Sequence, residues 1–349
     1  VYGSALATAI ATLGSIVGLL IVGLYALYVV RPQVIMLVIM AFRGVLLLTL
    51  MFLGPTAGNL TVFLAVLLTY SAALWIERSI LGGIAVENVP GIARGLNALN
   101  LAFQLGGLAM AALLAVFLRI GAAAFGILAL LQFALVALLG SLLLSRRVGF
   151  KVTIPRRTTF KTAFGGGAVT LYSMSFIHNI SISILLSIAP SLGASLYAVF
   201  YVVSEVSLIA GMVVFMAMGD RVALSGRLFL YGTLLGLALT SIAYIYMEPW
   251  AMIIGIATLN ALNAAGTVFT GNALRYVFAN AIYNVRTLST ASSLFGALYG
   301  SLIPLTPTPG AVLIATFLAI TVTFPALHRK VVRMGIEIMR RMESQKGGT

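Results

Sequence analysis

Two adjacent charged residues, Glu77 and Arg78, lie within the apolar segment that contains LWIERSILGG. Ionisable side chains inside a bilayer are costly, and they are usually paired with another charge or kept for function. Neighbouring residues of a helix do not face each other, so Glu77 and Arg78 cannot neutralise one another. Each charge therefore needs its own partner or its own task.

Arg43, in the preceding apolar segment, is the candidate partner of Glu77. At about 1.5 Å per residue it lies roughly 15 Å from the end of its span, and Glu77 lies at a similar depth in the next, antiparallel span. We predict an intramembrane ion pair between Arg43 and Glu77, which reduces the cost of burying both charges. Arg78 is then left for an anionic substrate, a proton relay or gating. The alternative is that Arg78 also has a structural partner or caps backbone carbonyls.

Glu205 and His178 are the other ionisable candidates in apolar segments. Glu205 follows Tyr197 and Tyr201 at helical spacing, and a carboxyl group within a span can take up and release a proton. Glu205, with Glu77 as a second candidate, is therefore our proton-coupling residue; a hydrogen-bonded structural carboxyl is the alternative. His178 can titrate near neutral pH, and a packing histidine is its alternative.

Composition excludes several kinds of chemistry. The 349 residues include no cysteine and seven acidic residues, of which only Asp220 is an aspartate. Disulfides and thiol chemistry are excluded, and clustered carboxylates for metal or phosphoryl chemistry cannot be assembled. We expect no catalytic residues, no metal ligands and no cofactor, and hence a protein that is not an enzyme.

The elements that must position these residues are membrane-spanning helices. The chain is 61% hydrophobic and 8% charged, with a mean hydropathy of +1.13, and apolar runs of about 20 residues follow one another, as a bilayer requires. Turns and charges divide it into eleven apolar segments: 2–30, 33–54, 59–85, 95–118, 121–145, 162–189, 192–219, 227–247, 250–275, 286–304 and 309–328.

The connections between these segments alternate between nearly uncharged and basic. Of the 21 lysines and arginines, 18 belong to the basic set, which the positive-inside rule places in the cytoplasm. The net charge of +14 is thus explained by the orientation of the protein in the membrane, and we expect no nucleic-acid partner. With a cytoplasmic C-terminus, eleven spans place residue 1 outside the cytoplasm. We therefore expect that one N-terminal helix is missing; a native topology with an odd number of spans is the alternative.

The sequence also repeats itself in parallel. Gly18 matches Gly211 at an offset of 193, and Arg94 matches Arg286 at an offset of 192. We predict four parts: an N-terminal bundle at 1–145, a basic cytoplasmic linker at 146–161, a C-terminal bundle at 162–328 and a basic cytoplasmic tail at 329–349. The tail resembles a short helix on the inner membrane surface.

Several motifs, in order along the chain, resemble those of the major facilitator superfamily. GDRVALSGR at 219–227 is similar to the family's loop motif, and RSILGGIA at 78–85 is similar to its fourth-helix motif, through Arg78 and Gly82. ENVPGIARGLNALN at 87–100 resembles the loop that follows. GLYALYVVRP at 23–32 is a degraded first copy of the loop motif, and Gly106–Gly107 match only part of the antiporter signature.

The resemblance covers essentially the whole chain and implies an all-α polytopic membrane protein. Its fold would be major facilitator-like, two parallel-repeat six-helix bundles with 11 of 12 helices present. The loop residues Asp220, Arg221 and Arg227 would form a charge network that stabilises one gating state; a plain surface pair is the alternative.

Polar stripes mark the third, sixth and ninth segments, which correspond to cavity-lining helices in the resemblance. The predicted cavity residues are Ser71, Trp75, Arg78, Ser175, His178, Asn179, Asn260, Asn263 and Thr267. The alternative is that such hydroxyl and amide groups hold helices together by hydrogen bonds.

The leading hypothesis is a secondary transporter that moves a small solute across the cytoplasmic membrane by alternating access, with possible coupling to protons. We expect a monomer in the lipid bilayer whose partner is a small-molecule substrate. A membrane-embedded enzyme acting on lipid and a truncated, non-transporting remnant are the alternatives.

Overall fold

The structure is a computed structural model, and its described residues are helical apart from short turns. It describes residues 2–25, 32–54, 57–88, 101–109, 113, 116–117, 119–146, 164–217 and 222–346. Most of the predicted linker at 146–161 lies outside this set, as do 89–100, Asp220 and Arg221.

Eleven helices follow one another along the described residues, and each overlaps one of the apolar segments predicted from the sequence. They are α1 Tyr2–Tyr25, α2 Pro32–Leu53, α3 Leu60–Asn88, α4 101–109, α5 Ala123–Arg146, α6 Gly166–Ile188, α7 Gly193–Ala217, α8 Val222–Tyr246, α9 Pro249–Tyr276, α10 Ile282–Leu302 and α11 Pro309–Lys346.

Proline and glycine set several of these helix ends. Pro32, Pro249 and Pro309 each occupy the first helical position, where the missing N–H has no intrahelical partner to lose and the fixed φ suits a helix. α2 ends at Leu53 and is followed by Gly54, whose φ of +57° is readily accessible only to glycine. Local sequence thus decides where the apolar segments stop.

All the described helices except α4 belong to stretches that are long and apolar enough to cross a membrane. Nine candidate stretches meet this criterion among the described residues, and one of them, Gly167–Phe215, covers most of both α6 and α7. Large apolar side chains point outward, with Phe52 79%, Leu130 69% and Val322 78% exposed. This pattern suits a surface that contacts lipid.

Contacts divide the chain into two compact units. The N-terminal unit comprises Ala9–Asn100 and Leu113–Arg156; the C-terminal unit comprises Val1–Thr8, Leu101–Ala112 and Arg157–Thr349. In the N-terminal unit, α2 packs against α3 and α5. In the C-terminal unit, α6 packs against α10 and α8, α9 packs against α7 and α8, and α11 packs against α8.

One helix crossing occurs in both units and supports the internal repeat. In the N-terminal unit, a Cβ added at Gly18 of α1 would lie 2.9 Å from the carbonyl carbon of Ala72 in α3. In the C-terminal unit, a Cβ at Gly211 of α7 would lie 2.9 Å from the carbonyl carbon of Ala261 in α9. The glycines that match in sequence therefore occupy equivalent crossings, where only the absence of a side chain lets the backbones approach.

α11 is longer than the last predicted span, which ends at residue 328. Its 38 residues extend about 57 Å, well beyond the roughly 30 Å of a hydrocarbon core. Val331, Met334, Ile338 and Met342 recur at helical spacing and are buried in the core of the C-terminal unit. The basic segment, which the sequence predicts as a short helix on the inner membrane surface, is continuous with α11, and this apolar stripe packs it on its own unit.

Candidate functional site

The buried charges of the N-terminal unit form a compact cluster between α2 and α3. The Arg43 guanidinium makes an ion pair with the Glu77 carboxylate, and both residues are 8% exposed. Arg43 Nη2 also donates a hydrogen bond of 2.8 Å to the Tyr70 hydroxyl, and its Cζ lies 4.9 Å from the centre of the Tyr70 ring. The structure thus brings together the two residues that the depth argument pairs.

Tyr70 is a member of this cluster that the sequence analysis did not select. It lies seven residues before Glu77, two helical turns along one face of α3. That spacing was the available signal, but a tyrosine in an apolar segment is usually a packing residue.

The other polar residues of α3 divide into exposed and buried positions. Arg78 is exposed, and its Cζ lies 5.8 Å from the centre of the Trp75 ring. Ser71 is instead buried at the crossing with α1, where its Cβ lies 3.0 Å from the position a Cβ would take at Gly14. Arg78 and Trp75 therefore form the accessible part of the predicted stripe, while Ser71 belongs to helix packing. Gly82, the motif glycine, lies within α3.

His178 of α6 is oriented toward α8. It is 2% exposed, its ring centre lies 4.8 Å from that of Phe229, and its Nδ1 lies 3.3 Å from the Thr233 hydroxyl oxygen. The Thr233 hydroxyl oxygen also lies 2.8 Å from the Phe229 carbonyl oxygen, so the imidazole and the hydroxyl are held together at this helix contact. His178 is therefore enclosed at the contact between α6 and α8.

The remaining stripe of α6 has a mixed role. The Ser175 hydroxyl lies 3.0 Å from that of Ser289 in α10 and holds the two helices together. Asn179 is half-buried, and its amide nitrogen donates to the Ser175 carbonyl at 2.8 Å. Ser289 was not selected from the sequence, because serines are common at helix contacts and carry no distinguishing pattern.

Asn260 of α9 joins its helix to α7. It is buried, and its Nδ2 donates to the hydroxyl of Ser204 at 2.6 Å and to the Ser204 carbonyl at 3.2 Å. Asn263 and Thr267 are half-buried on the same helix, and the Thr267 hydroxyl donates to the Asn263 carbonyl at 3.1 Å. Asn260 therefore makes an interhelical contact, whereas the Asn263 side chain keeps partial exposure.

Glu205 lies at the end of an aromatic column on α7. The hydroxyls of Tyr197 and Tyr201 are 3.4 Å apart, their rings pack edge to face with centres 5.0 Å apart, and Glu205 follows one turn later. Opposite it, a Cβ added at Gly107 of α4 would lie 2.9 Å from the Glu205 carboxyl carbon. Gly107 thus provides the space that the carboxyl group occupies.

The loop motif is only partly visible. Asp220 and Arg221 lie outside the described residues, while Arg227 is exposed near the start of α8. The described part of the chain holds no group of three or more His, Cys, Asp or Glu residues that could bind a metal ion.

Comparison with known proteins gives a match in structure and none in sequence. No protein-family model and no curated protein matches the chain. Among solved structures, a point mutant of the nucleoside transporter NupG matches with a TM-score of 0.62 and 13% identity, over 97% of this chain and 91% of that one. A second NupG structure matches with a TM-score of 0.58 and 13% identity, over 95% and 90%.

At this identity the similarity defines the fold. The match extends over almost the full length of both chains, and the described residues are helical with long apolar stretches. The chain is an all-α, multi-pass membrane protein with a major facilitator-like fold.

Proposed function

We propose that the protein is a secondary transporter that moves a small solute across the cytoplasmic membrane by alternating access. The observation that carries this proposal is the end-to-end structural similarity to a nucleoside transporter. The distribution of charge adds support, because ionisable residues within spans are retained where a substrate or ion path needs them. The basic connections assign the linker and the C-terminal tail to the cytoplasm.

In the N-terminal unit, we assign substrate contact to Arg78 and Trp75. Both lie on one face of α3, and Arg78 is exposed beside the indole ring. An indole face stacks on flat rings, and a guanidinium donates hydrogen bonds in a fixed planar fork. This combination suits a planar, hydrogen-bonding solute.

In the C-terminal unit, we assign substrate contact to Asn179, Asn263 and Thr267. Their side chains are half-buried, and an amide offers both a donor and an acceptor to a hydroxyl or a heterocycle. Nucleosides present both kinds of group and a flat base, so they are the first substrate class to test. We assign four other predicted residues to helix packing, because each is engaged at a helix contact: Ser71, Ser175, His178 and Asn260.

Reconstituted protein provides the test of transport. We expect proteoliposomes containing the purified chain to accumulate radiolabelled uridine or adenosine by counterflow against an unlabelled internal pool. Arg78→Gln should reduce initial uptake at least tenfold, because a charge-assisted hydrogen bond contributes about 1.5–3 kcal/mol.

Arg275→Gln is the matched control for Arg78→Gln. Arg275 is also exposed and its Cζ lies 5.1 Å from an aromatic ring, that of Tyr276. It lies at the end of α9, eight residues after Thr267. Counterflow at the rate of empty liposomes for every nucleoside tested, with correctly folded protein, would reject the nucleoside assignment. A wider solute panel would then decide whether transport itself is absent.

Glu205 is our candidate for proton coupling. We expect Glu205→Gln to abolish accumulation driven by an inward proton gradient while leaving counterflow exchange close to wild type, because exchange needs no net proton movement. Proton-driven uptake unchanged in Glu205→Gln would contradict this role. Gly107→Val, which should displace the carboxyl group, is expected to act in the same direction.

A further inference from the structure

A cleft in the C-terminal unit is lined by none of the residues assigned to substrate. α6, α10 and α11 form its walls, and its volume is about 560 Å³. This volume lies within the range of about 300–1,000 Å³ for ligand pockets. Ala319, Thr323, Ala326 and Lys330 of α11 line it and are exposed. The cleft therefore opens along α11, on the side where Leu318 and Val322 point outward.

Three hydroxyl groups in the cleft, those of Ser173, Ser292 and Thr323, donate to the backbone. Ser173 donates to the Val169 carbonyl at 2.9 Å, and Ser292 donates to the Tyr172 carbonyl at 2.8 Å. Thr323 donates to carbonyls of its own helix at 3.0 Å. Because their protons are used, these three hydroxyls can only accept hydrogen bonds from a ligand. Phe176, Ile177 and Ile320 make much of the wall apolar.

Lys330 places a positive charge at one end of this apolar wall. The apolar run of α11 before the first ionisable residue, 309–327, is 19 residues long, about 29 Å. This length matches the hydrocarbon thickness of about 30 Å, so Lys330 lies at the boundary with the headgroups on the basic side. The His328 ring nearby is 3.4 Å from the Tyr231 hydroxyl, and aromatic side chains with polar tips are typical of that depth.

We propose that this cleft binds an anionic phospholipid from the leaflet on the basic side. An acyl chain occupies the apolar wall, and Lys330 binds the phosphate of the headgroup. The charge complements the anionic lipids of the cytoplasmic leaflet, and the depth fits a lipid whose chain lies in the hydrocarbon. A polar solute would lose its hydration against the apolar wall, whereas an acyl chain would not.

Native mass spectrometry of the purified full chain in a non-ionic detergent tests the site. Palmitoyl-oleoyl phosphatidylglycerol is titrated in parallel with the matching phosphatidylcholine. We expect one tight phosphatidylglycerol site, and Lys330→Gln should weaken it about fivefold, which corresponds to about 1 kcal/mol for one lysine at an anionic surface. The neighbouring exposed Arg329, which does not line the cleft, supplies the control Arg329→Gln.

A second pair of variants tests the apolar wall. Ala319→Trp should fill the cleft and remove the tight site, whereas Ala315→Trp, one turn away on α11 and outside the lining, should retain it. Equal losses in Lys330→Gln and Arg329→Gln, equal affinity for both lipids, or full binding in Ala319→Trp would each overturn the proposal. If Ala319→Trp does not fold, the comparison of Lys330→Gln with Arg329→Gln still decides whether the lipid binds in this cleft.

Discussion

The buried ion pair between Arg43 and Glu77 makes stability depend on both partners. Glu77→Gln leaves the Arg43 guanidinium inside the unit without its counter-charge, and we expect this to cost about 3–5 kcal/mol of unfolding free energy. Tyr70→Phe removes a single hydrogen bond to that guanidinium and should cost about 1.5–3 kcal/mol. Unfolding of purified protein in mixed micelles measures both values.

The double variant Arg43→Leu with Glu77→Leu separates pairing from a functional charge. Removing both charges together should recover most of the stability lost in Glu77→Gln, since apolar replacements of a buried pair are often neutral or better. If Glu77→Gln were as stable as wild type, the ion pair would not be a structural element of the N-terminal unit.

Asn260 and Asn263, three residues apart on α9, are expected to behave differently. Asn260 clamps Ser204 of α7, so Asn260→Ala should lower stability by about 1 kcal/mol and leave the apparent KM unchanged. Asn263→Ala should raise the apparent KM with little change in stability, because its side chain is half-buried and assigned to substrate. Uptake kinetics and thermal unfolding of the same preparations check both; a raised KM in Asn260→Ala would return Asn260 to the substrate site.

At the scale of helices, the two glycine crossings predict similar losses of stability when either glycine is replaced by alanine. Gly→Ala in a helix normally stabilises by up to about 1 kcal/mol, but Gly18→Ala and Gly211→Ala would press a methyl group against the backbone of α3 or α9. We expect both to lower the thermal unfolding temperature, with overpacking costs of about 1–3 kcal/mol. Gly3→Ala in α1 and Gly271→Ala in α9 are controls, since nothing lies within 4 Å of a Cβ at either position. Equal stability of Gly18→Ala and Gly3→Ala would exclude the close crossing.

At the scale of the whole molecule, orientation can be read from single cysteines, because the chain contains none of its own. Thr308 is exposed between α10 and α11, and Ser344 is exposed near the end of α11. We expect an impermeant maleimide to label Thr308→Cys in intact cells and Ser344→Cys only after permeabilisation. Labelling of both from the same side would contradict the assigned orientation.

The sequence predicted the helices and one of their contacts because those features are local or depend on depth. Apolar runs bounded by proline, glycine and charge correspond to the described helices, and the matched glycines Gly18 and Gly211 anticipated the repeated crossing. Arg43 and Glu77 could be paired from the sequence because consecutive spans are antiparallel, so distance from the membrane surface restricts which charges can meet. The charges after residue 328 do not end α11, because the apolar stripe from Val331 to Met342 continues the helix.

The direction in which each polar side chain points was decided only by tertiary packing. Helical spacing shows that Ser71, Trp75 and Arg78 share a face of α3, but Ser71 meets α1 while Arg78 is exposed. His178 and Asn260 have the sequence character of cavity residues, yet Thr233 and Ser204 engage them. The sequence by itself determined the class of protein, its spans and its charge asymmetry. The structure alone decided which polar groups bind neighbouring helices, because a hydroxyl or amide in a span must find a hydrogen-bond partner and that partner comes from distant parts of the chain.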